Sequence, residues 1–596
     1  MQNNISCNKN TRKHHSFAMG AVIITFGMLT VKVLGAVFKI PLMAMLGGEG
    51  GAYFTGAYNF YNPIYALSTA GLPIAISKLV SENVALGRFK DVRRIHKITV
   101  PMFLTTGSIG FIFTVIGGYI YIKLANSPGS LYSIFMLAPT LLFSCLISSY
   151  RGYYEGLRDM TPTAISEIIE SAGKVVFGLS LTYLTNWYTL HEYNKFGTVF
   201  GKYFADVNQA KAYILPFASG AALAGVALSS VLGFIYIALR YKIKGDYITK
   251  HELENSPKAN SRKFILKSIL KLSIPIALGA VVMNFAGVID SILIQRRLSD
   301  IAGSSLPRLL ISYKNLISED IISRKVVHSF LFGCFGYTSM LTMFLPTLAQ
   351  GLAISALPAI TSAWVRGAKK DIHKNIETII KLAVIVSVPM GVGLSALSLP
   401  ILNLIYNHVK SGQVPEIYIA SDIMAISGIG AIFTAISTPI CSMLQAVGRA
   451  DLPVKILSIG VVIKIILNYI LVGIPEINIQ GAGIGTLICY IFVFLSALYN
   501  LCRITKIKLN YVSVFIKPTI AAVLCGLSAW VSYNLFYKIC TNLSLKFITM
   551  LSIIISMFVY FILILCLKTL TINDINMLPQ KVKTRVSNFF KKFDLI

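Results

Sequence analysis

The sequence predicts an all-α integral membrane protein with fourteen transmembrane helices, grouped as two six-helix lobes and a C-terminal pair. Three observations predict it: the composition, the recurrence of apolar runs along all 596 residues, and the uneven sharing of cations between alternate connections.

The composition is 55% hydrophobic and only 13% charged, with a mean hydropathy of +0.70, well outside the range of a soluble domain. Apolar runs of the length needed to cross ~30 Å of hydrocarbon as a helix recur from end to end, so the membrane-embedded part is the fold itself. The net charge of +30 could suggest a nucleic-acid partner, but it lies in short loops, which argues against one. Nine cysteines are scattered mostly within apolar runs. Without CxxC or paired Cys/His spacing they indicate neither a disulfide framework nor a zinc site. The basic N-terminal segment precedes an apolar run too long for a signal peptide and reads as the approach to a retained first helix.

The expected spans are 17 to 46, 53 to 77, 98 to 122, 130 to 150, 162 to 187, 213 to 239 and 268 to 295 in the first half. In the second half they are 332 to 361, 376 to 405, 417 to 445, 453 to 473, 481 to 502, 512 to 535 and 547 to 568. Lysine and arginine orient them, because cytoplasmic loops hold the excess. The two termini and the even-numbered connections carry 32 of these residues and the odd-numbered connections 13, which puts both termini in the cytoplasm. The basic connection 296 to 331 departs from this pattern and reads as an external insertion.

Two connections repeat a motif. In "YYEGLRDMTP" Arg158 precedes Pro162 by four residues, and in "LQAVGRADLP" Arg449 precedes Pro453 by four; each proline suits a first helical turn, where its missing N–H is no loss. Lys174 follows its proline by twelve residues and Lys464 by eleven. Spans 1 to 6 and 7 to 12 therefore read as two copies running in the same sense, an arrangement that places a shared pathway at the interface of the halves. The implied organisation is an N-lobe over 1–240, a cytoplasmic linker over 241–266, a C-lobe over 267–505, spans 13 and 14 within 506–570, and a cytoplasmic tail over 571–596.

Charge inside the spans points to function, since a mid-membrane charge costs several kcal/mol unless it meets a partner or water. Lys32 lies seventeen residues past His15, ~25 Å along a helix, and Lys39 two turns further on the same face. Neither has an acid on its own helix, so the pair implies an anionic visitor or carboxylates from neighbouring helices. On span 5, Glu167, Glu170 and Lys174 share a face, with Glu170 and Lys174 in the favourable acid-before-base order. Asp290 and Asn284 add polarity to span 7. On span 2, Asn59, Tyr61, Asn62 and Tyr65 suit a sugar or amide, or equally a packed interface, while Pro63, Gly71 and Pro73 suit a bent helix beside a cavity. Lys271, Lys381 and Lys517 lie within a turn or two of the cytoplasmic face and read as snorkelling; Lys464 and Asn468 fit either a site or an interhelical network. The sequence holds no Walker-type loop, HExxH or GxSxG, so no enzyme, cofactor or metal site is expected.

The stretches "KVLGAVFKIPL", "NPIYALSTAGLPIAISKLVSE", "RGYYEGLRDMTPTAISEIIE" and "LQAVGRADLP" resemble the polysaccharide-exporter branch of the multidrug/oligosaccharidyl-lipid/polysaccharide (MOP) superfamily, most nearly its stage V sporulation protein B-like and MurJ-like members. The resemblance implies two six-helix lobes in a V, a central cationic cavity, and alternating access that carries an undecaprenyl-pyrophosphate-linked cell-wall precursor outward across the bacterial cell membrane. It implies that Lys32 and Lys39 meet the pyrophosphate, that Asn59, Asn62, Glu170, Lys174 and Asp290 complete the substrate site, and that membrane lipids and cell-wall synthesis proteins are the other partners. At span 2 the family's arginine pair is replaced by Tyr65 and Ala66, which makes the cavity less basic. A cation-coupled multidrug exporter of the same superfamily and a non-transporting scaffold for cell-wall synthesis are the alternatives.

Overall fold

The computed structural model describes residues 17–69, 71–313, 316–406, 415–540, 543–567 and 569; the N-terminal segment and the tail 571–596 lie outside them. The chain is helical almost throughout. In order the helices are α1 (Phe17–Thr69), α2 (Gly71–Ala85), α3 (Phe89–Leu124), α4 (Ser130–Leu137), α5 (Thr140–Gly156), α6 (Thr161–Gly173), α7 (Leu179–Phe196), α8 (Val207–Lys244), α9 (Lys250–Glu254) and α10 (Arg262–Ser304). There follow α11 (Leu306–Tyr313), α12 (Glu319–Ser323), α13 (Val327–Val365), α14 (Lys369–Ala396), α15 (Ser398–Tyr406), α16 (Pro415–Ala446), α17 (Asp451–Leu471), α18 (Gln480–Thr505), α19 (Lys517–Ile539) and α20 (Leu545–Cys566). A π-helical turn, Lys174–Gly178, joins α6 to α7, and another, Val512–Ile516, opens α19. A two-residue hairpin, Thr198–Val199 with Lys202–Tyr203, is the β-structure of the described residues.

Every expected span falls on helix. Among the described residues eleven helical stretches are long and apolar enough to cross a membrane, and one of them, Phe26–Ala85, covers the first two expected spans. Spans 5 and 7 are helical but fall outside those eleven. Spans 1 and 2 meet at a sharp kink, where Gly47 has φ 64° inside α1.

Apolar and small residues sort by face as a bilayer solvent requires. On α3, Ile109, Ile112, Phe113, Ile116 and Ile120 are exposed, whereas Gly107, Gly110, Thr114, Gly118 and Tyr121 are buried. Lipid tails are as apolar as isoleucine, so no hydrophobic drive pulls the first set inward. The glycines of the second set let neighbouring backbones approach and gain van der Waals contact, with Leu142 Cα 3.2 Å from where a side chain at Gly107 would begin.

The chain divides into two compact units, the first Met1–Leu46 with Gly50–Ile292, the second Gly47–Glu49 with Leu293–Ile596. In the first unit Phe38, Phe54, Tyr61, Ile134, Leu223 and Val288 share one apolar cluster. In the second, Ile376, Ile380, Ile440, Met443, Val493 and Leu501 share another.

Four connecting turns in the two units are built alike. After α2, the Gly87 amide bonds Val84 O and the Arg88 amide bonds Asn83 O; after α13, Gly367 and Ala368 bond Trp364 O and Ala363 O in the same three-back and five-back pattern. After α5 and α16, Arg158 and Asp159, then Gly448 and Arg449, repeat it. The first residue of each pair is left-handed, with φ of 68°, 66°, 62° and 83°, as in a Schellman helix stop. Aligned on these residues the two units fall into register: Lys174 lies sixteen past Arg158 and Lys464 sixteen past Gly448. The proline-based alignment left them one residue apart. The same alignment pairs Lys90, Asp91 and Val92 with Lys370, Asp371 and Ile372, which extends the repeat toward the start of each unit.

Between α8 and α10 the chain is tied to the start of α3. Arg93 donates to both oxygens of Asp246 at 2.9 and 3.0 Å, Arg94 to Asn260 O at 2.6 Å, Lys90 Nζ to Ser256 O at 2.8 Å, and the Asn260 amide to Asp91 Oδ1 at 2.7 Å. Burial works against the charged form of Asp246, but the hydrogen bonds from Arg93 and from the Ile248 amide outweigh it and hold the carboxyl below its ordinary range.

The basic stretch 296 to 331, expected as an external insertion, is itself folded into helices. It carries the end of α10, then α11 and α12, and acids of the second unit organise its cations. Arg296 and Arg297 pair with Asp300, and Arg324 pairs with Asp320 and with Glu49 at 2.8 and 2.9 Å. Lys381 does not snorkel either. It is 3% exposed and engaged in an interaction, because α14 begins seven residues before the apolar run and carries this position into the packed interior.

Candidate functional site

All seven residues expected to form the substrate site, Lys32, Lys39, Asn59, Asn62, Glu170, Lys174 and Asp290, lie in the first unit. The centre of the site is an acid between two cations. Glu170, on α6, takes Lys174 Nζ at 3.3 Å on one oxygen and Arg151 Nη2 at 3.2 Å on the other. Arg151 Nε donates to Ser166 Oγ at 2.8 Å, and Ser166 in turn donates to Thr163 O. The guanidinium is therefore held from two sides. Lys174 opens the π turn, a one-residue insertion in the helical ladder of the kind that recurs at functional sites.

Beside this cluster runs a ladder of aromatic rings on α1. Tyr61 stacks on Tyr65 with centroids 5.5 Å apart, Tyr58 meets Tyr61 edge-on at 6.3 Å, and Phe54 lies 4.9 Å from Tyr58. Tyr58 and Tyr65 are within electrostatic reach of Glu170 and Lys174. Packing orients the ladder. Tyr61 is buried in the cluster that also holds Phe38, and Val175 of the π turn packs against it.

The lysines of α1 are placed by two close approaches between helices. Ala164 Cβ is 3.1 Å from where a side chain at Gly27 would begin, and Phe38 Cε2 is 2.5 Å from the same point at Gly178. Both contacts advance along both helices, so α1 runs beside α6 and the π turn in the same sense. Lys32, five residues past Gly27, then stands at about the level of Glu170. Lys39 follows Phe38 at the level of the π turn. Lys32 is exposed and Lys39 half-buried. No carboxylate pairs with either among the described residues.

Asn59 is half-buried and Asn62 exposed, on the same helix as the tyrosines. Asp290 is half-buried and engaged on α10, two residues from Val288 of the shared apolar cluster. Glu167 is half-buried one turn before Glu170. Lys464 and Asn468, the α17 counterparts, are both engaged, with Asn468 fully buried.

Arg151 is the residue the sequence reading missed. It was assigned to a loop because the apolar run ends at residue 150, yet α5 continues to Gly156. The sequence signal is weak: "RGYYEG" holds no proline, but Gly152 directly follows Arg151 and reads as readily as a helix end. Among the described residues no group of acids, histidines and cysteines could hold a metal ion.

Comparison with known proteins places this arrangement. A family model described as polysaccharide biosynthesis protein matches residues 17–205, and one described as MatE matches residues 325–470; the first falls in the first unit and the second in the second. The chain is 25% identical over 511 residues to the lipid II flippase MurJ of Bacillus subtilis (strain 168), covering 84% of this chain and 85% of that protein. It is 22% identical over 525 residues to stage V sporulation protein B of the same organism, covering 86% and 88%. Among solved structures, a lipid II flippase MurJ in an inward closed conformation aligns with a TM-score of 0.58 at 17% identity over 91% of this chain and 98% of that one. An inward-facing multidrug resistance MATE family transporter aligns with the same TM-score and identity over 82% and 99%. The protein is therefore a multi-span membrane protein with the fold of MOP-superfamily transporters. Within that class its relatives are MurJ and stage V sporulation protein B, as the sequence motifs led one to expect.

Proposed function

We propose that the protein is a flippase for a lipid-linked oligosaccharide, moving an undecaprenyl-pyrophosphate-linked cell-wall precursor, lipid II or a related lipid, across a bacterial cell membrane by alternating access. One observation carries the reading: Lys32 and Lys39 stand along one helix beside the Arg151–Glu170–Lys174 cluster, and among the described residues no carboxylate is paired to either. Glu170 already satisfies two cations, so the additional positive charge is left for an anion. A pyrophosphate suits it, because its negative charge is the costly part of crossing hydrocarbon while a polyprenyl tail stays in the bilayer. The tyrosine ladder with Asn59 and Asn62 offers faces and amides for sugar, and Asp290 is assigned to the same site. Both termini are placed in the cytoplasm, with peptidoglycan or spore-cortex synthesis as the process served and cell-wall synthesis proteins as partners.

A second reading, a cation-coupled multidrug exporter, is favoured by the MatE match over residues 325–470 and by a MATE transporter of equal structural similarity. It requires a carboxylate facing a largely apolar pocket, whereas Glu170 is neutralised by Arg151 and Lys174.

Native mass spectrometry of the purified protein tests the first reading. A co-purifying polyprenyl-pyrophosphate species that is lost in Lys32→Ala/Lys39→Ala is expected. Its retention in that variant, or resistance to cationic drugs on overexpression without such a lipid, sets the reading aside.

A further inference from the structure

The first turns of α10 carry Arg262, Lys263, Lys267 and Lys271, all exposed and none in an ion pair among the described residues. Positions 263, 267 and 271 advance by about 40° per step around the helix, so the three ammonium groups form one stripe ~12 Å long. Alongside runs an apolar stripe of Leu266, Leu270 and Ile274, 36%, 38% and 52% exposed. The opposite face is fixed: Ile265 and Ile269 are buried in a cluster with Leu72, Ile76, Val80 and Ile248, and Gly71 of α2 lies against the Ser273 backbone. The two stripes are therefore held outward by packing and do not rotate away.

Two buried acids of the same unit are committed elsewhere: Asp91 is held by Arg88 and Asn260, and Asp246 by Arg93. Among the described residues no acid is paired with the stripe. Like charges four residues apart repel one another on a helix surface, so three in a row without an acid call for a counter-charge from outside the chain. Cations at the level of the head groups, flanked by an apolar stripe running toward the hydrocarbon, match the two ends of one amphiphile.

We propose that the face of α10 formed by Lys263, Lys267, Lys271, Leu266, Leu270 and Ile274 binds an anionic glycerophospholipid of the surrounding membrane, its phosphate between the lysines and its acyl chain along Leu270 and Ile274. The site is separate from the Arg151–Glu170–Lys174 cluster and does not depend on what that cluster carries. Scattered snorkelling lysines would be indifferent to which lysines are removed. A built site is not.

The test is native mass spectrometry of the full chain released from nanodiscs of phosphatidylglycerol mixed with phosphatidylcholine. The variant Lys263→Gln/Lys267→Gln/Lys271→Gln is compared with a charge-matched control, Lys506→Gln/Lys508→Gln/Lys538→Gln. Expected is a drop of about tenfold or more in phosphatidylglycerol adducts for the first variant, with the control like the parent and phosphatidylcholine adducts unchanged in all three. Equal loss in both variants, or no loss in either, overturns the proposal. Loss of a polyprenyl-pyrophosphate adduct with phosphatidylglycerol retained also overturns it, assigning the stripe to the cargo. Should the triple variant not fold, Lys267→Gln and Lys271→Gln singly give the same adduct ratio, each expected below the parent and each overturning the proposal if equal to it.

Discussion

Arg151 and Glu170, nineteen residues apart on α5 and α6, meet at 3.2 Å with side chains 14% and 15% exposed. The pair ties two helices together at the place where Lys174 begins the π turn, so its charge balance governs both packing and the site.

Removing one partner of a buried, hydrogen-bonded pair leaves the other charge uncompensated, at about 3–5 kcal/mol for full burial and less at a partly exposed site such as this. Arg151→Ala is expected to lower the thermal midpoint of the detergent-solubilised protein by several degrees, and Arg151→Lys by less, since a lysine keeps the charge but loses the bond to Ser166. Equal stability of Arg151→Ala and the parent would show that Lys174 alone suffices for Glu170.

Lys39→Ala is expected to weaken binding of a polyprenyl-pyrophosphate by about tenfold to a hundredfold, the value of one hydrogen bond to a charged group, with little change in stability, since among the described residues no carboxylate is left unpaired by its loss. Titration of the lipid by change in tyrosine fluorescence would measure it. A large loss of stability with unchanged binding would make Lys39 structural.

The repeated turns make an asymmetric expectation. Arg158 occupies a left-handed position that glycine holds at 87, 367 and 448, and a side chain costs roughly 1 kcal/mol there. Arg158→Gly is expected to be neutral or stabilising by up to that amount, and Gly448→Ala destabilising by a similar one, read as thermal midpoints. The reverse order would mean that the Arg158 side chain outweighs its backbone strain.

Asp246→Asn is expected to loosen the stretch 246–260, seen as faster amide hydrogen exchange there, at about 1–3 kcal/mol for a hydrogen bond to a charged group. Because the folded carboxyl is held below its ordinary value of 3.8, its contribution is present above that value and is lost as pH falls through the lower, folded one. Exchange in 246–260 should therefore stay slow at neutral pH and rise only in the acid range below 3.8. A rise near neutrality would point to a different group.

How much of this was legible in the sequence depended on what writes itself as hydropathy. Each apolar run became helix, because backbone groups in lipid have few other ways to be satisfied. The Glu170–Lys174 pair was legible because both partners lie one turn apart on one helix. Arg151 was not, since its helix outlasts its apolar run by six residues and its partner lies on another helix. The partner of Arg324 was illegible for the same reason: Glu49 is 275 residues away. Lys381 misled because distance from the end of an apolar run does not tell whether a neighbouring helix covers the position. The second repeated turn, at Gly87 and Gly367, is followed by matching residues, Lys90-Asp91-Val92 and Lys370-Asp371-Ile372, but carries no proline to mark it, and the matching backbone hydrogen bonds bring it out.

Transport measured in proteoliposomes with a fluorescent polyprenyl-pyrophosphate-linked oligosaccharide is the most direct test of a cationic site for an anionic cargo. The parent protein is expected to move the lipid between leaflets, and Lys32→Ala/Lys39→Ala to fall to the rate of protein-free vesicles while remaining folded. Parent-like transport by the double variant would contradict the site, and absence of transport by the parent with every such lipid would contradict the function.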